Sequence, residues 1–317
     1  MNDRNIIIIA SQPRSGSTLL QALLSNNKQV ATVSEPWLLL PFLSYNNPEL
    51  SKAIYSSVLA SNGINDFKRK INTKKFDNDL SQFLLNQYSQ LIKNNEKFVI
   101  DKTPRYYEIL NEIIKYFPNS KIIILKRNPF AVLSSIINTW DKNNLNELLE
   151  FKRDILNAPI ILQNFIDKNS NNPNVKTIKY ETLINTPENE IQKLYEWLNI
   201  PFNDSVIDYA KNTKYKGEMG DPTGIHKSSK PNNLTSEKWI KTYNKKEWSN
   251  FFKGYADYLS EEFLTHYGYS NKVPSQKTQI FNHYLNLSYF EIKLHNISLI
   301  KLLKYKALIK LGLINYS

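Results

Sequence analysis

The chain of 317 residues contains no cysteine, which excludes disulfides, thiolate metal centres and cysteine nucleophiles. Its four histidines, His226, His266, His283 and His295, form no H-x-x-x-H pair, so no metal centre is expected. Long apolar runs are missing too: nothing approaches the roughly 18 uninterrupted apolar residues of a membrane-spanning helix. The opening run, Ile6 to Ala10, is shorter than the roughly 7–15 residues of a signal-peptide core and leads straight into a structured turn. It reads as a buried strand, in a protein expected to be cytoplasmic.

What is present is globular in composition, with 41% hydrophobic and 12% aromatic residues. The length suits one large α/β domain with additions or two modest domains. Lys and Arg number 41 against 29 Asp and Glu, a net charge of +12, which favours anionic partners. The lysines are scattered rather than clustered with aromatics on one face, so a nucleic-acid partner is not expected.

Short apolar runs suited to parallel strands recur at 5–10 (NIIIIA), 97–101 (KFVID), 121–127 (KIIILKR) and 175–180 (VKTIKY). Helical patterns lie between them. Leu19, Leu20, Leu23 and Leu24 share one face, as do Phe130, Leu133, Ile136, Ile137 and Trp140. The expectation is a doubly wound parallel α/β sheet flanked by helices, with ligands at the carboxyl ends of the strands. We place this domain at 1–270, with a helical insertion at 45–95 between the first two strands. That insertion carries a basic connector, KRKINTKK, and a long active-site loop follows at 213–233. A helix with Thr186 as N-cap and Pro187 in its first turn is expected after the last strand. Residues 271–317 form a helical extension. In its tail Lys301 and Lys304 lie opposite Lys306 and Lys310, so the cations do not define one polar face. Packing on the domain or on a second subunit is therefore preferred there over weak membrane-surface association.

The stretch SQPRSGSTLL (11–20) follows the first strand and opens a helix. Such a turn aims backbone N–H groups and the helix dipole at one point, an arrangement that binds phosphate-like anions. It fails the nucleotide-kinase form G-x-x-x-x-G-K-[ST], because Ser17 stands where the lysine belongs and the first glycine is missing. An ordinary turn capped by Ser15 or Ser17 would explain a serine and a glycine, but not Pro-Arg-Ser-Gly-Ser-Thr as a set.

PRSGSTLLQALLSNN resembles the 5′-phosphosulfate loop of sulfotransferases that use 3′-phosphoadenosine 5′-phosphosulfate, PAPS, in its tyrosylprotein and bacterial form. IIILKRNPFAVLSSI resembles the same family's 3′-phosphate motif, an arginine at a strand end and a serine eight residues later, here Arg127 and Ser135. A guanidinium can fork onto a phosphate there while the hydroxyl adds a donor. The resemblance spans residues 5 to about 240. It implies that Arg14, Ser15, Gly16, Ser17 and Thr18 bind the phosphosulfate, and that the product is the 3′,5′-bisphosphate, PAP. It further implies Glu35 as general base and Lys102, with Arg14, as catalytic cations; no metal is implied. Glu35 could instead be an N-cap or first-turn acid, and Lys102 a salt-bridge partner of Asp101. Tyr180 corresponds to a nucleotide-contacting tyrosine, although a core role fits it too. Lys230 resembles a late donor-binding lysine, and Ser228 or Ser229 a phosphosulfate hydroxyl, of which Ser229 is taken into the site. His226 is set aside, because the family's histidine base lies earlier in the chain. The implied activity is sulfuryl transfer to a hydroxyl or amine of a glycan, lipid or small metabolite. The rival is a nucleoside-triphosphate-dependent phosphotransferase with a degenerate loop. Acceptor identity and oligomeric state are not encoded in these motifs.

Overall fold

The structure is a computed structural model that describes residues 1–51, 53, 55–142, 144–208, 237–270 and 272–287. His226, Ser228, Ser229, Lys230, the 213–233 loop and the tail beyond 287 lie outside the described residues.

Five strands, β1 Ile6–Ser11, β2 Val30–Thr32, β3 Phe98–Lys102, β4 Lys121–Lys126 and β5 Val175–Lys179, form one parallel sheet. Their order is β2-β3-β1-β4-β5. All six residues of the central β1 are buried. On one face Ile6, Ile8 and Ala10 join Val99, Ile122 and Ile124 under helical Leu110, Ile113 and Leu162. On the other, Ile7 and Ile9 join Ile100, Ile123 and Leu125 under Leu20, Leu23, Leu24 and Leu194. A strand covered on both sides needs an unbroken apolar run, and NIIIIA supplies it.

The four expected strands form, each within one residue of its expected ends. β2 is a fifth that the sequence reading passed over. It is three residues long and is held to β3 by parallel pairing from Val30↔Phe98 to Thr32↔Ile100, with Thr32 Oγ1 donating to the Ile100 carbonyl at 2.9 Å. The helical insertion therefore falls between the second and third strands, not the first and second.

Within the insertion the helices Ser57–Ile71 and Thr73–Ser89 are separated by Asn72 alone, whose side chain caps the second by accepting from Lys75 N at 3.0 Å. The basic run expected to be a connector is thus helical on both sides of that residue. Its Lys68 is buried, pairs with Asp77 at 2.5 Å and donates to Tyr45 at 3.2 Å, while Tyr116 donates to Asp77 at 2.8 Å. The helix Pro187–Leu198 forms with Pro187 in its first turn. The hydroxyl of Thr186, however, donates back to the Thr182 carbonyl at 3.2 Å instead of capping it.

The chain divides into two compact units, residues 1–132 with 154–237, and 133–153 with 238 onward. The boundary falls inside the helix Pro129–Thr139, where Phe130, Leu133, Ile136 and Ile137 are buried as their spacing predicts, whereas Trp140, expected on the same face, lies beyond the helix end and is exposed. In the second unit Trp239, Trp248, Phe251, Phe252, Tyr255 and Tyr284 are buried, and Lys152 Nζ donates to the Leu285 and Leu287 carbonyls at 2.6 and 2.5 Å. Among the described residues no helix is long and apolar enough to cross a membrane.

Candidate active site

β1 ends at Ser11, and the helix α1, Ser17–Ser25, begins six residues later. The turn between them closes with Ser15 N donating to the Gln12 carbonyl at 3.2 Å. Two of its residues, Arg14 at φ 70° and Gly16 at φ 90°, are left-handed. Such a conformation at a residue carrying a β-carbon is costly and recurs where a ligand is gripped. Gly16 has a steric reason as well: a Cβ there would lie 2.4 Å from Cδ2 and Cε2 of Tyr180. It is the N-cap of α1 and no side chain caps that helix, so neither Ser15 nor Ser17 plays the ordinary capping part. Ser15 Oγ and Ser11 Oγ are buried without a hydrogen-bond partner among the described residues. Buried hydroxyls left unsatisfied cost free energy. Together with the uncapped amides of α1, they fit a tetrahedral oxyanion.

Arg127 is the first residue beyond β4, which pairs with β1 in the register Ser11↔Leu125. Its Nη1 donates to the Arg14 carbonyl at 2.8 Å, and its guanidinium lies 4.4 Å from the centroid of the Tyr180 ring. Gly16, Tyr180, Arg127 and Arg14 thus close a ring around the turn. Tyr180 is also part of the apolar cluster on that face of the sheet, so its core and site readings coexist. Ser135 lies half-buried on the helix Pro129–Thr139, in the second unit.

Lys102, at the end of β3 and fully buried, donates to Glu35 Oε1 at 2.7 Å and to Thr18 Oγ1 at 3.3 Å. It touches both the turn and the loop after β2. Its partner is therefore Glu35 rather than its neighbour Asp101, since successive side chains on a strand point to opposite faces. Glu35 caps nothing: the next helix, Leu39–Leu43, has Leu38 at its N-cap and no acid in its first turn. The loop that carries it is pinned at several points. Gln21 Nε2 donates to Thr32 Oγ1 and to the Val33 carbonyl, each at 2.8 Å. The backbone N–H groups of Trp37 and Leu39 donate to Thr103 Oγ1 at 3.3 Å and to Tyr106 OH at 2.9 Å.

Two charged groups beside this pair were not singled out from sequence. Asp101 is buried and accepts hydrogen bonds from Tyr88 at 2.5 Å, Tyr106 at 2.7 Å and Thr103 at 2.9 Å. Burial pushes its carboxyl up to about 6, against the pull of those hydroxyls and of Lys102. Arg105 grips Asp154 with Nε at 3.1 Å and Nη2 at 2.6 Å, and its guanidinium lies 5.4 Å from the Trp37 ring. The available signal was an acid closing an apolar strand, followed within a few residues by a threonine and two tyrosines.

A parallel α/β sheet whose central strand feeds an uncapped, glycine-hinged helix start, flanked by a buried lysine on one side and an arginine on the other, defines an anion-binding transferase. The chain belongs to the sulfotransferase family, which it matches over residues 6–204, and it is an enzyme of that family's PAPS-dependent kind. Among curated proteins it is 23% identical to the nodulation protein NoeE of Sinorhizobium fredii over 84% of this chain and 67% of that one. It is 26% identical to a putative protein-tyrosine sulfotransferase of Caenorhabditis briggsae over 66% of this chain and 70% of that one. The fold is similar to that of the sulfotransferase domain from the curacin biosynthetic pathway, with a TM-score of 0.55 at 19% identity over 84% of this chain and 97% of that one.

Proposed function

We propose that this enzyme transfers the sulfuryl group of PAPS, by in-line displacement, to a hydroxyl of a glycan, lipid or small metabolite, with an amine as the other acceptor of matching chemistry. The observation that carries this reading is the position of Lys102, within hydrogen-bonding distance of both Thr18 in the anion turn and Glu35. A cation for the leaving phosphate and a base for the acceptor are thereby joined at one point.

The donor supplies an activated sulfuryl group on a phosphate leaving group. In our reading the amides at the start of α1, with Arg14, Ser15, Ser17 and Thr18, hold its phosphosulfate. Arg127, braced by Tyr180, takes the 3′-phosphate, and Ser135 is assigned to that phosphate by resemblance alone. Glu35 accepts the proton of the acceptor hydroxyl as the oxygen–sulfur bond forms and the bond from sulfur to the phosphate oxygen breaks. Lys102 and Arg14 place positive charge where negative charge grows on that phosphate oxygen. Ser229 and Lys230 are assigned by resemblance alone. The insertion and the 213–233 loop are the natural sites for acceptor binding, because the strand ends are taken up by the donor. The tyrosine sulfotransferase relatives carry a phenolic hydroxyl as acceptor in their name, which the same chemistry would serve.

Calorimetry with the 3′,5′-bisphosphate and with ATP tests the donor assignment. Tight binding of the bisphosphate is expected, with Arg127→Ala weakening it by about 1.5–3 kcal/mol, roughly 10- to 150-fold. Binding of ATP without binding of the bisphosphate would overturn the assignment in favour of a phosphotransferase.

A further inference from the structure

We propose that Asp101 is a positioning residue for Glu35: its carboxylate sets the direction of two hydroxyls that hold the backbone of segment 35–39, and it ties the insertion helix Thr73–Ser89 to the same point. This rests on the reading of Glu35 as the base.

A hydroxyl has one proton to give. Thr103 Oγ1 lies 2.9 Å from Asp101 and 3.3 Å from Trp37 N; Tyr106 OH lies 2.7 Å from Asp101 and 2.9 Å from Leu39 N. A backbone N–H can only donate, so each hydroxyl must accept from the loop and turn its own proton elsewhere. The ionised carboxylate is the group that receives both protons, because it accepts and never donates. An amide at this position would offer N–H to one side, and one hydroxyl would then have to give up either that contact or the loop. The loop needs such support: Trp37 is left-handed at φ 55°, a conformation that persists only where its surroundings enforce it. The third donor, Tyr88, comes from the insertion helix at 2.5 Å. One buried carboxylate therefore joins the insertion helix Thr73–Ser89 to the segment that carries the base. Lys102, next along β3, faces the other way onto Glu35 itself, so two adjacent residues of one strand hold that segment from opposite faces of the sheet.

Hydrogen exchange of the intact chain, read by mass spectrometry over residues 33–43, tests this. Thr103→Val, close in shape but without the hydroxyl, is expected to raise exchange at Trp37 about tenfold, the effect of one lost hydrogen bond. Thr103→Ser should return it to near the wild-type rate, and Asp101→Asn should raise exchange at both Trp37 and Leu39. Exchange in residues 17–25 and affinity for the 3′,5′-bisphosphate should remain within about twofold, with sulfuryl turnover lowered. If Asp101→Asn does not fold, Thr103→Val and its serine rescue decide the matter. The proposal is overturned if residues 33–43 exchange alike in wild type and Thr103→Val, or if residues 17–25 loosen equally. Failure of the wild-type protein to bind the bisphosphate would instead count against the sulfotransferase site, and the exchange data would still report on Asp101.

Discussion

Replacing Gly16 by alanine puts the ring of contacts around the turn under direct strain. The new Cβ would sit 2.4 Å from two carbons of Tyr180, a separation that carbon atoms do not sustain, so the ring must move. The left-handed backbone at φ 90° adds its own cost for any residue with a β-carbon, about 1–2 kcal/mol. Displacing Tyr180 removes the platform 4.4 Å from the Arg127 guanidinium, a contact worth about 0.5–2 kcal/mol. We expect Gly16→Ala to lower stability in urea by about 2–4 kcal/mol and affinity for the 3′,5′-bisphosphate at least tenfold. Combining it with Tyr180→Ala relieves the clash, so the double variant should lose less stability than the sum of the two single losses. The reasoning fails if Gly16→Ala binds the bisphosphate as wild type does with an unchanged urea midpoint. It also fails if the double variant is strictly additive.

Glu35→Gln, which keeps the shape but not the basicity, should reduce turnover by about 10²–10⁴-fold on any acceptor found by screening with labelled donor. Bisphosphate affinity should stay near wild type, and a parallel loss of both would make Glu35 structural. For Asp101 the folded-state value of about 6 lies above the ordinary carboxylate value of about 3.9. Its stabilising contribution is therefore complete below the unfolded value and is lost as pH rises through about 6. Between pH 5 and pH 7.5 that loss is about 1.4 kcal/mol. Urea unfolding at the two pH values should show this difference shrinking in Asp101→Asn, whereas an identical pH dependence in both proteins would contradict it.

The parts of the site readable from sequence are those whose chemistry is local. Pro13 and Gly16 mark a turn by their own backbone preferences, and Arg127 announces itself two residues after Leu125, at the end of the apolar run Ile122–Leu125. β2 gave no such signal, because three residues reading Val-Ala-Thr carry little periodicity and owe their extended form to β3 beside them. The basic run at 68–75 reads as a solvated connector until Asp77, Tyr45 and Tyr116 close around Lys68. Asp101 has the same difficulty. Its partners are 13, 5 and 2 residues away, and the loop they hold is more than 60 residues distant. Such networks are made by the tertiary fold and leave no pattern in any one window of sequence.

The strand order has a consequence for how the protein is made. β1 lies at the centre of the sheet, yet it leaves the ribosome before the other four strands, and both its partners come late: β3 starts at Phe98 and β4 at Lys121. From Ser11 to Phe98 is 98 − 11 = 87 residues, which at roughly 5–20 residues per second takes roughly 4–17 s. For that interval four consecutive isoleucines have no strand to pair with: α1 can cover one face of them, but both strand partners are distant in sequence. The segment that ends as the best-protected part of the sheet is thus the one most in need of a chaperone at birth.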